Sequence, residues 1–295
     1  MKYNRLLALA LALCLVLILA GCGLEPFREE VKGSGVLKQN EMPLPDIPGG
    51  YVLRMGGINM QGAIRELKLV IDESLKNAAV LETDNNILLR LDLKRSPALD
   101  EITLSAPRNM VFSPTKLILT VGVPVRELIV DGLWEVRYDC PSVRNFKLAV
   151  DGSASGDFAL GTLDRLDMNI SGLSDINMNC QGVRECKLVV DGSLGGKFAF
   201  GEMDSLDMRL SGLSTIGMSG TARRVVLKLD GGVDISAFDL IAQDAEVTIS
   251  GLGSCEITAE QSLYAKIDGA GSITYGGSPA VTQRIDGLGS IRARR

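Results

Sequence analysis

A two-residue turn recurs nine times in the C-terminal part of the chain, each time directly after a short apolar run. The turns begin at Asp131, Asp151, Ser171, Asp191, Ser211, Asp230, Ser250, Asp268 and Asp286, and glycine follows each of them. The spacing between successive turns is nearly constant and shortens slightly towards the C-terminus. A near-constant period of strand and turn residues is typical of a solenoid in which each repeat stacks on its neighbours.

Apolar and polar residues alternate within each repeat, which predicts strands with one buried side. Leu166, Met168 and Ile170 occupy every second position of one strand, and Ile176 and Met178 do so in the next. Two short strands per repeat, joined by glycine turns, predict an all-β fold. We expect a parallel β-helix, a single-stranded solenoid with coils of about 18–20 residues. At roughly 4.8 Å per coil, eight intervals make a rod about 40 Å long.

The repeat has a second level, because residues 147–179 and 187–219 share about twenty of 33 positions at an offset of 40. Over the centre of the chain, coils with Asp-Gly therefore alternate with coils with Ser-Gly. Carboxylates stacked about 5 Å apart would repel each other, whereas a hydroxyl between them can form hydrogen bonds to its neighbours.

The N-terminus has the pattern of a bacterial lipoprotein signal. Lys2 and Arg5 precede an unbroken apolar run at 6–20, and Leu19-Ala20-Gly21-Cys22 resembles a lipobox. The apolar run is short for a membrane span, and small residues before a cleavage point indicate a secretory signal. Cys22 is therefore the predicted lipidation site and mature N-terminus; the alternative is a plain signal anchor with a chance cysteine. The mature chain should be tethered to the membrane outside the cytoplasm.

This pattern divides the chain into three parts: a signal peptide at 1–21, a lipid-anchored tether with its first strand at 22–50, and the β-helix at 51–295. The tether contains Pro26, Pro43, Pro45 and Pro48 and has little apolar periodicity. Three β-rich runs precede the regular coils, which begin at about residue 127. These runs are residues 67–71, 87–93 and 116–121.

Composition excludes several classes of site. Removing Lys2 and Arg5 with the signal changes the net charge from −5 to −7, so nucleic acid is not an electrostatic partner. The chain has no histidine, which excludes catalytic triads and zinc sites that need one. With 33 glycines and one tryptophan, the composition favours a turn-rich β protein.

Four cysteines follow Cys22, and each falls on one of the alternating strand positions that are predicted to point into the core. We interpret Cys140, Cys180, Cys186 and Cys255 as small buried apolar residues. The alternative is an extracytoplasmic disulfide of Cys180 with Cys186 or with Cys140.

The carboxylates invite an enzymatic interpretation, because Asp164 and Asp167 could be the paired acids of a glycosidase. The same pair recurs as Asp204 and Asp207, however, and a repeated pair indicates a solvated surface rather than a unique catalytic site. The Asp-Gly positions are explained by turn chemistry, with Ca²⁺ binding as the alternative. The sequence therefore predicts no catalytic residue, no metal ligand and no cofactor other than this Ca²⁺ alternative.

Short glycine-rich motifs recur from the start of the chain to its end. They are Gly33-Ser34-Gly35-Val36, Gly57-Ile58-Asn59, residues 250–254, residues 268–277 and residues 286–291. With these motifs the chain resembles the putative auto-transporter adhesin, head GIN domain family, over roughly residues 33–293. The resemblance implies a right-handed parallel β-helix on exported bacterial proteins whose biochemical role is unsettled. This sequence has Asp-Gly or Ser-Gly-Leu where the family often has Ser-Gly-Ser-Gly.

Three functions remain consistent with these features. The first is a non-enzymatic, adhesin-like surface module that binds a polysaccharide, cell-wall component or partner protein along the solenoid. The second is a polysaccharide-acting enzyme of the β-helix type, which fold analogy alone supports. The third is a structural or partner-binding envelope lipoprotein. The ligand-binding residues are not identifiable, although the outward positions of the first strand include Lys147, Lys187, Asp167, Asp207, Asn169 and Arg209.

Overall fold

The structure, a computed structural model, describes residues 28–61, 66–75 and 77–294. These residues form an all-β fold, as predicted, with a single helical turn, α1, at Asn85–Leu88. None of their helices is long and apolar enough to cross a membrane. The strands are β1 Glu29–Lys32, β2 Leu37–Pro43, β3 Tyr51–Met55, β4 Glu66–Asp72, β5 Ala78–Asp84, β6 Asp92–Ser96, β7 Glu101–Ser105, β8 Met110–Ser113, β9 Lys116–Val121, β10 Val125–Cys140, β11 Asn145–Ile249, β12 Leu252–Ile267, β13 Ala270–Gly276, β14 Ala280–Ile285 and β15 Leu288–Ala293.

The regular part of the chain is a stack of coils that pair in parallel at the spacing of the sequence repeat. Leu128 of β10 pairs with Leu148 of β11, which is the equivalent position one repeat later. The shorter repeats near the C-terminus pair in the same way, so that Leu252 of β12 lies beside Ala270 of β13 and Ala270 lies beside Leu288 of β15. The long β11 is thus a continuous path through successive coils, which bends at each glycine turn.

Two less regular coils precede this stack. β3 and β4 both pair in parallel with β10. On their other sides, β3 pairs in parallel with β7, and β4 pairs in parallel with β9. Val52 pairs with Glu101, so the chain between these two coils is more than twice as long as a regular repeat. The extra length contains β5, α1 and β6, and β5 runs antiparallel to both β2 and β9.

The core follows the predicted alternation. The inward residues named from the sequence are buried, including Leu166, Met168 and Ile170. Each fully buried aliphatic side chain contributes about 1.5–3 kcal/mol relative to an exposed one, so the long inward rows dominate stability. Tyr138 packs against Phe146 and Phe158, with ring centroids 4.6 and 5.6 Å away.

A column of glycines lies at the turns of the stack. Gly132 and Gly212 have φ of +100° and +115°, which is a conformation that favours glycine. A Cβ at Gly212 would overlap the carbonyl oxygen of Gly192 in the preceding coil, whereas a Cβ at Gly132 would meet nothing within 4 Å. The Asp-Gly and Ser-Gly repeat thus serves both the turn and the close approach of successive backbones.

The motif at Gly33–Val36 folds around a buried carboxylate. Asp84 is 0% exposed. It accepts hydrogen bonds of 2.7 Å from the backbone N–H of Gly35 and of 2.7 Å from that of Thr115. The Thr115 hydroxyl donates a further bond of 2.9 Å. A Cβ at Gly33 would lie 2.6 Å from Asp84 Oδ2, so glycine at this position leaves room for the carboxylate.

Two expectations from the sequence differ from the structure. The predicted β run at 87–93 is wrong over its first half, because α1 occupies Asn85–Leu88 and β6 begins only at Asp92. Ile87 is buried and Leu91, four positions later, packs against the same core, which is helical rather than alternating spacing. The segment predicted as a tether with a first strand contains both β1 and β2. β2 is mostly exposed, so it has no apolar alternation by which it could be recognised.

Candidate functional site

A concave groove lies on the outer side of the second strands, the strand of each coil that follows the glycine turn, as at Ile176 and Met178. Its volume is about 1310 Å³. The backbone and side chains of buried residues, among them Phe158, Met178 and Phe198, form its floor. We call this surface the central groove; its outward-facing residues include Arg137, Asp139, Asp157, Ala159, Asp175, Asn177, Asn179, Lys197, Ala199, Thr215, Gly217, Ser219, Ser236 and Asp239.

Small outward residues make this part of the surface concave. Ala159, Ala199 and Gly217 occupy positions where longer side chains would fill the depression. The polar groups around them are amides, hydroxyls and charges of both signs. The central groove can therefore offer many hydrogen bonds to a ligand but no exposed aromatic ring for stacking.

A hydrogen-bonded ladder crosses three neighbouring coils inside the central groove. The Asn177 amide Nδ2 donates to Asp157 Oδ1 at 3.0 Å, and its Oδ1 accepts from the backbone N–H of Lys197 at 3.2 Å. Because both ends of the Asn177 amide are engaged, its orientation is fixed. The side chains of Asp157 and Lys197 remain exposed on either side of it.

The repeated carboxylates considered as catalytic acids lie outside the central groove and are bound by arginines. Arg165 Nε lies 2.6 Å from Asp167 Oδ2, and Arg209 Nη2 lies 3.0 Å from Asp207 Oδ2. These partly exposed pairs form a surface of alternating charge, on which each ion pair contributes little to stability.

A single arginine joins the other two of these carboxylates. Arg184 lies between neighbouring coils, 3.8 Å from Asp164 and 3.7 Å from Asp204. Asp204 also binds Arg223, whose Nη2 lies 2.6 Å from Asp204 Oδ1, so both acids belong to a network of exposed ion pairs.

The other residues singled out on the first strand are also on this surface. Lys147 Nζ is 2.7 Å from Glu127 Oε1, one coil away. Lys187 and Asn169 are exposed, and neither borders the central groove. The outward first-strand residues that were singled out from the sequence are therefore separate from the central groove, which lies on the second strands of the coils.

The four cysteines are buried and unpaired, so the disulfide alternative is not formed. Burial raises the pKa of the Cys140 thiol to about 11 and that of Cys180 to about 12. Burial likewise raises the pKa of Cys255 to about 12 and that of Cys186 further. These thiols are protonated at neutral pH and lack the thiolate that a nucleophile requires.

Within the described ranges, no group of three or more cysteine or acidic side chains could hold a metal ion. The carboxylates of the Asp-Gly turns are exposed. The predicted lipidation site, Cys22, lies outside the described residues.

Taken together, the fold and the central groove define a class of all-β proteins with a surface groove on strands stacked in parallel. Residues 178–279 match the family described as putative auto-transporter adhesin, head GIN domain. This match confirms the resemblance predicted from the sequence over that range, which includes the C-terminal half of the central groove. No curated protein matches the chain.

Three solved structures share the fold. The chain is similar to a putative lipid binding protein from Parabacteroides distasonis, with a TM-score of 0.64 and 20% identity. It is also similar to a putative adhesin from Parabacteroides distasonis (TM-score 0.59, 21% identity) and one from Parabacteroides merdae (0.53, 20%). Each comparison covers 90% of this chain and 100% of the other. At these identities the likeness is one of fold alone.

Proposed function

We propose that the chain is a non-enzymatic, lipid-anchored module outside the cytoplasm that binds an extended polysaccharide in the central groove. The observation that carries this proposal is a groove that crosses several neighbouring coils and has amides, hydroxyls and charged side chains among its outward-facing residues. Its volume of about 1310 Å³ exceeds the range of about 300–1,000 Å³ that is usual for small-molecule pockets. An extended polymer with many hydroxyl groups fits this size and this lining.

Two observations support the proposed location outside the cytoplasm. The predicted lipobox at Leu19–Cys22 supports acylation of Cys22. The description of the family that matches residues 178–279, putative auto-transporter adhesin, head GIN domain, supports a position at the cell surface. A groove on a membrane-tethered rod is suited to hold a wall or extracellular polymer close to the cell.

The proposal includes the architecture that presents the groove. We take residues 51–295 as one domain and the stack as a right-handed parallel β-helix, with residues 22–50 leading into it. Parallel strands joined by crossover connections within one sheet are right-handed in almost all proteins. The parallel pairing of equivalent positions in successive coils is the support for this description.

The groove proposal predicts that binding depends on the ladder at its centre. Combining Asn177→Ala with Lys197→Ala should weaken polysaccharide binding by about tenfold or more, because each lost hydrogen bond to a bound ligand costs about 0.5–3 kcal/mol. The matched control combines Asn169→Ala with Lys187→Ala, which removes the same residue types outside the groove. Isothermal titration with the best ligand from a panel of wall and extracellular polysaccharides measures both.

Three results would contradict the groove proposal. Equal losses in the two double variants would show that binding uses another surface. A glycan shortened during the titration would favour the enzymatic alternative. Absence of saturable binding across the panel would favour a protein partner.

The anchor proposal predicts a covalent change at one residue. When expressed in a bacterial host, the wild-type chain should incorporate labelled palmitate and lose the segment 1–21, because the modified Cys22 becomes the N-terminus. Cys22→Ser should abolish labelling, whereas Cys14→Ser in the same apolar run should preserve it. Gel autoradiography and intact-mass measurement distinguish these results. Labelling that survives Cys22→Ser would reject this site.

A further inference from the structure

The stack has a second surface feature, a straight row of exposed leucines on every second coil. Each leucine directly follows the glycine of a turn, and their exposed fractions range from 62% to 83%. We call them the leucine row: Leu133, Leu173, Leu213, Leu252 and Leu288. The coils between them have small residues at the same position, namely Ser153, Ser193, Gly232 and Ala270.

Strand register places these residues in one line. Leu133 pairs with Ser153 at one end of the stack, and Leu252 pairs with Ala270 near the other. Leu213 leans over the next coil, since a Cβ at Gly232 would lie 2.8 Å from its Cδ2 atom. The leucines therefore recur about every 9.6 Å, each with room made for it by a small neighbour.

The N-terminus of the described fold lies at one end of the leucine row. Arg28, the first described residue, lines a shallow groove together with Leu133 and Ser153. Arg28 is six positions after Cys22 in the sequence. A fully extended chain spans this separation with about 20 Å at most, so a lipid on Cys22 would hold the bilayer within about 20 Å of Arg28, which shares a groove with the first leucine of the row.

The size of the leucine row argues against a stable complex with a free partner. Five leucines exposed to this extent present roughly 500–600 Å² of mostly apolar surface. A stable dimer needs about 800 Å² from each partner, which is more than the row offers. A patch of this size on a monomer is nevertheless often functional. A tether raises the effective concentration of a nearby surface into the millimolar range, which makes a weak apolar contact effective.

We propose that the leucine row lies against the lipid bilayer and orients the stack parallel to the membrane. This inference rests on the proposed lipid anchor, which places the bilayer at the end of the row. Carboxylates lie beside the leucine row: Leu133 and Leu288 follow Asp-Gly turns, and the coils between the leucines have the exposed turn residues Asp151, Asp191, Asp230 and Asp268. They restrict the contact to the headgroup boundary and disfavour anionic lipids.

The experiment uses a chemical tether, so that its outcome is independent of natural acylation. All described strand pairing lies within residues 29–293, and therefore the chain from Cys22 onward contains the complete described fold. Its Cys22 thiol is coupled to a maleimide lipid in a supported phosphatidylcholine bilayer; the four later cysteines are buried. Neutron reflectometry then measures the thickness of the protein layer.

The test variant combines Leu173→Ser, Leu213→Ser and Leu252→Ser. The matched control combines Leu75→Ser, Leu89→Ser and Leu99→Ser, three exposed leucines outside the row. The wild-type and control layers should be thin, as for a rod lying flat, and the row variant should give a layer that approaches the length of the stack. Circular dichroism and thermal melting verify that all three proteins are folded equally.

Each of three results would overturn the proposal that the leucine row lies against the bilayer. One is equal layer thickness for folded wild type and row variant. Another is a thinner, tighter layer on bilayers that contain phosphatidylglycerol, which would indicate adsorption through basic residues. A third is a wild-type dimer in sedimentation velocity that the row variant dissociates, since the leucine row would then bind a second copy of the chain. Loss of natural acylation alone would reject the anchor proposal and leave the tethered result unchanged.

Discussion

Gly212→Ala is expected to destabilise the protein by about 3–5 kcal/mol, whereas Gly132→Ala is expected to cost only about 1–2 kcal/mol. Both residues have positive φ, +115° and +100°, so alanine has a similar backbone cost at each position. Only at Gly212 would the new Cβ also overlap a backbone carbonyl oxygen, that of Gly192. The difference between the two variants therefore isolates the steric requirement of coil stacking from the conformational requirement of the turn.

Urea denaturation followed by far-ultraviolet circular dichroism measures this difference. Similar midpoints for the two variants would show that the stack can relax around a methyl group. In that case the glycine column would reflect the turn geometry alone.

Asp84→Ala is expected to destabilise the fold by about 3–5 kcal/mol, because its buried carboxylate is the acceptor for several donors that would lose their partner. Asp84→Asn should have a similar effect, since the amide NH₂ would face N–H and O–H donors. The matched control is Asp151→Asn, which removes the same charge from an exposed turn and should change stability by less than about 0.5 kcal/mol.

The stability contributed by Asp84 should also depend on pH. Burial alone would raise the pKa of this carboxyl, but hydrogen bonds from Thr115, Gly35 and the Lys116 backbone outweigh it and lower the pKa below the ordinary value. A lowered folded-state pKa stabilises the protein above the unfolded-state value of about 3.9, and this contribution is lost as the pH falls through the lowered value.

The difference in free energy of unfolding between wild type and Asp84→Asn should therefore be constant above about pH 5 and should decrease at lower pH. Chemical denaturation at a series of pH values measures it. A difference that is independent of pH down to the acid limit would contradict the assignment of a charged, hydrogen-bonded Asp84.

The regular coils could be predicted because two short-range signals coincide in them. The Asp-Gly and Ser-Gly turns give the period, and alternating residues such as Leu206, Met208 and Leu210 give the buried side. The coils formed by β3, β4, β7 and β9 could not be recognised in the same way. Val52 pairs with Glu101 across a long stretch of chain that contains antiparallel strands, so no local period exists.

The central groove and the leucine row both correspond to patterns in the sequence. These are patterns of residue size and polarity, which a search for catalytic or metal-binding motifs does not detect. The central groove is marked by small residues at outward positions, such as Ala159, Ala199 and Gly217, which have no chemistry of their own. The leucine row is marked by a large apolar residue after every second turn, where the alternation rule expects an exposed polar one. Exposure had to be known before either pattern could be distinguished from ordinary turn variation.

The alternation of large and small residues along the leucine row also restricts how such a protein can change its length. Loss or gain of one coil would place two leucines, or two small residues, next to each other. A duplication of two adjacent coils, the relation that already exists between residues 147–179 and 187–219, keeps the order intact. It would lengthen the stack by roughly 10 Å. A pair of coils is therefore the smallest insertion that preserves the spacing of the leucine row.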